Sequence, residues 1–231
     1  MYKMIRANLR LSLQDLAIEL GIVAGVWLLL EAGTNLVVGL AKESTTAIIT
    51  APTLLVVGGL ALLFVNAARF MVEFPRGVRF SVTRRRMLAG LMAVCTVHTA
   101  AVLGLSALLG AVSGLIYKLA WQPRGVELAF DGLALFPWWG WLAVAAACIL
   151  GGLVGGALYL RFGPKGMWVM WGAWMVFVFF DEQILGLFSG LQALPGLAWL
   201  GGLVGPVVLV GVVALLALSV RWLLRLTVRE G

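Results

Sequence analysis

Long apolar runs decide what this chain can become. Six stretches, Ala17–Leu40, Ala47–Val72, Met87–Tyr117, Leu133–Leu160, Met167–Leu187 and Leu197–Val220, are each broken by few charges. A helix needs roughly 20 apolar residues to cross the hydrocarbon core of a bilayer. The 231 residues are 62% hydrophobic and only 12% charged, too little charge to cover a soluble surface. The expected fold class is all-α: a polytopic membrane protein with six transmembrane helices, forming a single transmembrane domain over residues 1–231. Residues 1–20 place Tyr2, Ile5, Leu9, Leu13, Leu16 and Leu20 on one stripe at steps of three and four. Residues 1–16 are therefore expected to form an interfacial amphipathic helix leading into the first span; a plain extension of that span is the alternative. MYKMIRANLR is too polar for the apolar stretch of a cleaved signal peptide, so no leader is expected.

Basic residues set the expected topology. With both termini in the cytoplasm, fourteen of the seventeen Lys and Arg residues fall on the inner side, and only Lys42, Lys118 and Arg124 fall outside. Positive charge is retained on the cytoplasmic face during insertion, so this asymmetry favours six spans over five or seven. Trp121, Trp138, Trp139 and Trp141 suit an outer aromatic belt. The net charge of +7 then serves orientation and contact with anionic lipid, not nucleic acid. Glycines four apart (Gly110 and Gly114, Gly151 and Gly155, Gly152 and Gly156, Gly201 and Gly205) mark close helix contacts, more readily within one subunit than between two. Pro52 and Pro206, near span ends, are candidate kinks.

The largest polar break is Phe74–Arg86, FPRGVRFSVTRRR, with five arginines and no acid. Residues 73–86 are expected to be a cytoplasmic loop between the second and third spans. Simple topological retention explains such a cluster; a docking platform for a soluble partner is the sharper reading. The stretch resembles the small six-helix permease subunits of bacterial ABC transporters of the ABC-2 (type V exporter) kind. There the loop after the second span begins Phe-Pro and closes on a Ser/Gly-x-Thr-Arg-Arg core, matched here by Phe74, Pro75, Ser81, Thr83, Arg84 and Arg85. Gly151–Gly166, GGLVGGALYLRFGPKG, is similar to the same family's glycine-rich fourth span and basic turn. The Trp-rich opening of span four, Phe136–Trp141, departs from the pattern.

The resemblance implies a division of labour. Two permease subunits, identical or paralogous, would assemble with two separate ATPase subunits. ATP and Mg would bind on those partners, and this chain would hold no cofactor or metal of its own. The loop residues Phe74, Pro75, Arg76, Arg79, Phe80, Ser81, Thr83, Arg84, Arg85 and Arg86 would couple ATP hydrolysis to the spans, with Phe74 and Phe80 as anchors. The implied location is the bacterial cytoplasmic membrane. The implied cargo is an apolar or amphiphilic compound: a peptide antibiotic, a lipid-like molecule or a drug.

Few polar groups lie at membrane depth, where an ionisable side chain is costly and points to function. Arg69 and Glu73, four apart near the inner end of span two, are expected to pair. Glu31, Asp181 and Glu182 are candidates for a transport pathway or simply mark outer span ends; Asn35 lies one turn after Glu31. His98, the single histidine, lies well inside span three, where a hydrogen bond to a neighbouring helix is the plainer expectation than a metal or proton role. Cys95 and Cys148 have neither metal-ligand spacing nor an expected disulfide. No Walker A, G-x-S-x-G or H-E-x-x-H motif occurs, so the chain is not expected to be catalytic by itself. Two other classes remain: a non-transporting membrane immunity or sensor protein, and an ion-coupled carrier using His98, Glu31 and Asp181. The lack of an evident inverted repeat weighs against the carrier.

Overall fold

A computed structural model describes residues 12–40, 46–48, 51–80, 82–130, 138–169, 171–172, 175 and 198–225, by backbone alone over 46–48, 51–57, 127–130, 138–139 and 198–208. Helix α1 spans Leu13–Leu40, α2 Ala51–Arg79, α3 Arg84–Ile116, α4 Trp138–Phe162 and α5 Ala198–Arg225. Among the described residues four helical stretches are long and apolar enough to cross a membrane: Leu13–Leu40, Gly58–Arg79, Arg84–Arg124 and Gly140–Phe162. The chain is thus a helical membrane protein. Most of the expected fifth span, with Asp181 and Glu182, and nearly all of the expected interfacial helix lie outside the described residues, as does Ser81.

Three local expectations are corrected. The loop over residues 73–86 shrinks to Phe80–Thr83, because α2 continues through Phe74 and Pro75 to Arg79. A proline inside a helix removes one backbone bond, here to the Met71 carbonyl, but need not end it. The helix closes instead where Phe80 N–H donates to Arg76 O at 3.3 Å and Val82 N–H to Gly77 O at 3.3 Å. Pro52 falls in the first turn of α2, where its missing N–H has no intrahelical partner to lose. Finally, the second span does not begin at Ala47: β1, Thr46–Ile48, precedes α2 and pairs in parallel with β2, Glu127–Phe130, in the connection between the third and fourth expected spans. The all-α expectation holds for the spans, with this one short strand pair beside them.

The described residues divide between two compact units, one within Met1–Asn66 and Arg86–Gly152, the other within Ala67–Arg85 and Leu153–Gly231. In the first, side-chain partners on α1 and α3 rise together: Glu19 with His98, Trp27 with Ser113, Asn35 with Trp121. The two helices therefore run parallel. Partners on α2 and α3 run in opposite senses, Asn66 meeting Thr99 while Gly58 faces Ser106, so these two are antiparallel. Both directions fit alternate crossings of a bilayer. Leu62, Val102, Leu103 and Cys148 form a core here, with Leu20, Val23, Trp141, Val144 and Ala145 packed against it.

The second unit buries Ala67, Phe70, Phe74, Leu153, Ala157 and Leu223. Phe162 and Trp222 meet edge to face, with centroids 5.6 Å apart. The RFGPKG turn forms where expected. Gly163, at φ 66°, ends α4 and donates its N–H to Tyr159 O at 2.6 Å, the left-handed cap that glycine adopts without steric cost. Gly156 explains part of the glycine pattern: a Cβ there would collide with Phe70 Cβ and sit 3.3 Å from Ala67 O. A Cβ cannot swing away as a side-chain tip can. Gly156→Ala is therefore expected to destabilise the protein by about 1–3 kcal/mol. Gly33→Ala, where nothing lies within 4 Å, should change stability by less than about 0.5 kcal/mol. Apparent melting temperatures in mild detergent check this pair, and equal effects would contradict the packing described.

Candidate functional site

The α2–α3 connection sorts the predicted coupling residues into two groups. Phe74 is completely buried and therefore no surface anchor. Arg84 is committed internally: its Nη1 donates to Leu224 O at 3.0 Å. Leu224 lies in the last turn of α5, where carbonyls lack helical partners and the helix dipole favours a cation. Arg84 thus closes the end of α5. Phe80, in contrast, is 77% exposed at the turn. Arg76, Arg79, Thr83, Arg85 and Arg86 are also exposed, and Pro75 is half-buried. The tip therefore presents a large aromatic ring among exposed cations. Arg69, two turns earlier on α2, is buried.

Within the membrane-spanning part, His98 Nδ1 lies 2.8 Å from Glu19 Oε2. The imidazole is 1% exposed and the Glu19 side chain 14%. The expectation of a histidine bound to a neighbouring helix is met, by a residue the sequence reading did not single out. Glu19 stands two residues into the expected span Ala17–Leu40, so its charge reads as a helix end. Only its pairing with the lone histidine reveals a polar contact between spans. Beside it, Asn66 donates through Nδ2 to Thr99 Oγ1 at 3.1 Å and to Cys148 O at 3.3 Å. Cys95 and Cys148 are buried and not joined in a disulfide.

A second polar cluster gathers toward the C-terminal ends of α1 and α3. Glu31, a predicted pathway residue, accepts from Ser113 Oγ at 2.6 Å through Oε2. It also accepts from Asn35 Nδ2, at 3.2 Å through Oε1 and 2.7 Å through its backbone carbonyl. Trp27 Nε1 donates to Ser113 Oγ at 2.8 Å, and Trp121 Nε1 to Asn35 Oδ1 at 2.6 Å. Trp121 ends a π-helical turn, Tyr117–Trp121, which passes into a 3-10 turn, Gln122–Arg124. Among the described residues no group of three or more His, Cys, Asp or Glu side chains could hold a metal ion.

Comparison with protein-family models, curated proteins and solved structures returns no match.

Losing the Glu19–His98 contact should leave a poorly satisfied polar group inside the helix packing, a cost of about 1–3 kcal/mol. Glu19→Leu and His98→Leu are each expected to lower thermal stability in detergent. The double variant should fall short of the summed losses by about 1 kcal/mol or more. Strict additivity would mean that the two side chains do not interact in the folded protein.

Proposed function

We propose that the protein is the membrane-spanning subunit of an ATP-driven exporter of the ABC-2 kind, and that the α2–α3 connection docks a separate ATPase subunit. The exposed, cation-flanked Phe80 is the observation that carries this reading. A short turn joining two long membrane helices transmits force along both, and an aromatic ring set among arginines suits a partly apolar, acidic groove. Charge at the rim steers such docking more than it supplies affinity. On this reading Arg79, Phe80, Thr83, Arg85 and Arg86 face the partner, while Phe74 and Arg84 hold the lever to its own unit. ATP and Mg act on the partner, two permease copies or paralogues form the pathway, and the basic tip lies in the bacterial cytoplasm with both termini. The cargo is an apolar or amphiphilic compound.

The part-buried Glu19–His98 pair favours a second reading, an ion-coupled carrier that needs no ATPase, because ionisable pairs at membrane depth mark ion pathways. Purification of the tagged protein from its own host separates the two. A near-stoichiometric ATPase should accompany the wild type. Its recovery should fall by about tenfold or more in Arg85→Glu/Arg86→Glu, with the permease level and melting temperature unchanged. Arg84 is left intact in this test, since reversing its charge would break the contact with α5. Absence of any ATPase from an active preparation would reject the exporter and advance the carrier.

A further inference from the structure

The second polar cluster has the parts of a cation-recognition site. We propose that Trp121 and Glu31 bind the positive group of an organic cation with an apolar body, and that the Arg124 guanidinium is a tethered stand-in for it. The proposal rests on the exporter reading and deepens it by naming the chemistry of the cargo.

The first observation is that a cation already sits there. The Arg124 guanidinium carbon lies 5.1 Å from the centroid of the Trp121 ring, within the range where the negative face of an indole attracts positive charge. Arg124 is exposed, and among the described residues that indole face is the partner the structure gives its guanidinium. Held by a short 3-10 turn, a solvent-facing arginine of this kind can leave the ring without unmaking a buried contact.

The second observation is that the indole is fixed for the task. Its N–H is held by Asn35, and one flank lies on α1, where a Cβ at Gly39 would come 3.6 Å from Trp121 Cη2. The ring therefore cannot turn freely. The π-helical turn from Tyr117 to Trp121 interrupts the regular helix where the indole meets Asn35; such turns recur at functional positions. The hydrogen bonds that start at the ring's N–H edge converge on one carboxylate. Asn35 links Trp121 to Glu31, and Ser113 links Trp27 to the same group. A carboxylate linked to the N–H edge of an indole favours positive charge over anions at that ring. The broad apolar face of the indole suits a greasy cation better than a hydrated metal ion.

Binding of radiolabelled tetraphenylphosphonium to the purified protein in a nonionic detergent, by equilibrium dialysis, tests this without any ATPase present. Arg124→Ala removes the tethered competitor and should tighten binding by about two- to five-fold. Glu31→Gln and Trp121→Leu should each weaken it by about tenfold, with melting temperatures reported alongside. Competition by glycerophosphocholine would identify a lipid headgroup as the source of the cation, and no competition a free amphiphile. Unchanged or weaker binding in Arg124→Ala, or equal binding of neutral triphenylphosphine oxide, would overturn the proposal. The first variant alters a surface side chain, so loss of fold cannot mask the result. Failure here would leave the ATPase association to be judged on its own measurement.

Discussion

In hydrocarbon a polar side chain has no water to turn to, and that constraint organises the seam between α1 and α3. Glu19 with His98 at one level, Ser113 between Trp27 and Glu31 at another, and Asn35 with Trp121 just past the C-terminal end of α3 form a ladder of contacts along two parallel helices. Apolar faces pack in many registers at nearly equal energy, because lipid tails and leucine side chains are alike. Polar partners remove that degeneracy. Sliding either helix by one turn would separate several donors from their acceptors at once. The seam therefore sets the axial alignment against which Asn66 of α2 meets both Thr99 and the Cys148 carbonyl.

The sequence made the apolar runs and most helix ends legible. Spans one, three and four appear as α1, α3 and α4 within a few residues of the expected limits, because length and apolar composition leave a membrane chain few options. Glu31 and Asn35 were visible as neighbours one turn apart, and they do join through a hydrogen bond. What escaped depends on contacts between distant segments. Glu19 looks like an ordinary span boundary until its level on α1 is compared with that of His98. Phe74 and Phe80 are six residues apart in the same basic stretch, yet one is fully buried and the other stands out. Composition treats FPRG as a break, whereas the backbone carries the helix through it. The β1–β2 pair is too short to show an alternation, and Ala47 and Ile48 of β1 read as the start of the second apolar run.

The arginine cluster shows how one composition serves two purposes. Arg84 is spent on the C-terminal carbonyl of Leu224, while its neighbours Arg85 and Arg86 face outward. Adjacent residues at a helix start point in different directions, so the first arginine can fasten the connection to α5 while the next two remain available. The turn between α2 and α3 is thus anchored on one side and cationic on the other.

The burial of His98 has a practical corollary for spectroscopy. Because the chain contains one histidine, every imidazole resonance from untagged protein labelled at histidine originates at the α1–α3 seam. The line width and position of that single signal report whether these two helices remain apposed. No further assignment is needed, and the same signal can be followed as lipid, detergent or bound compound is changed.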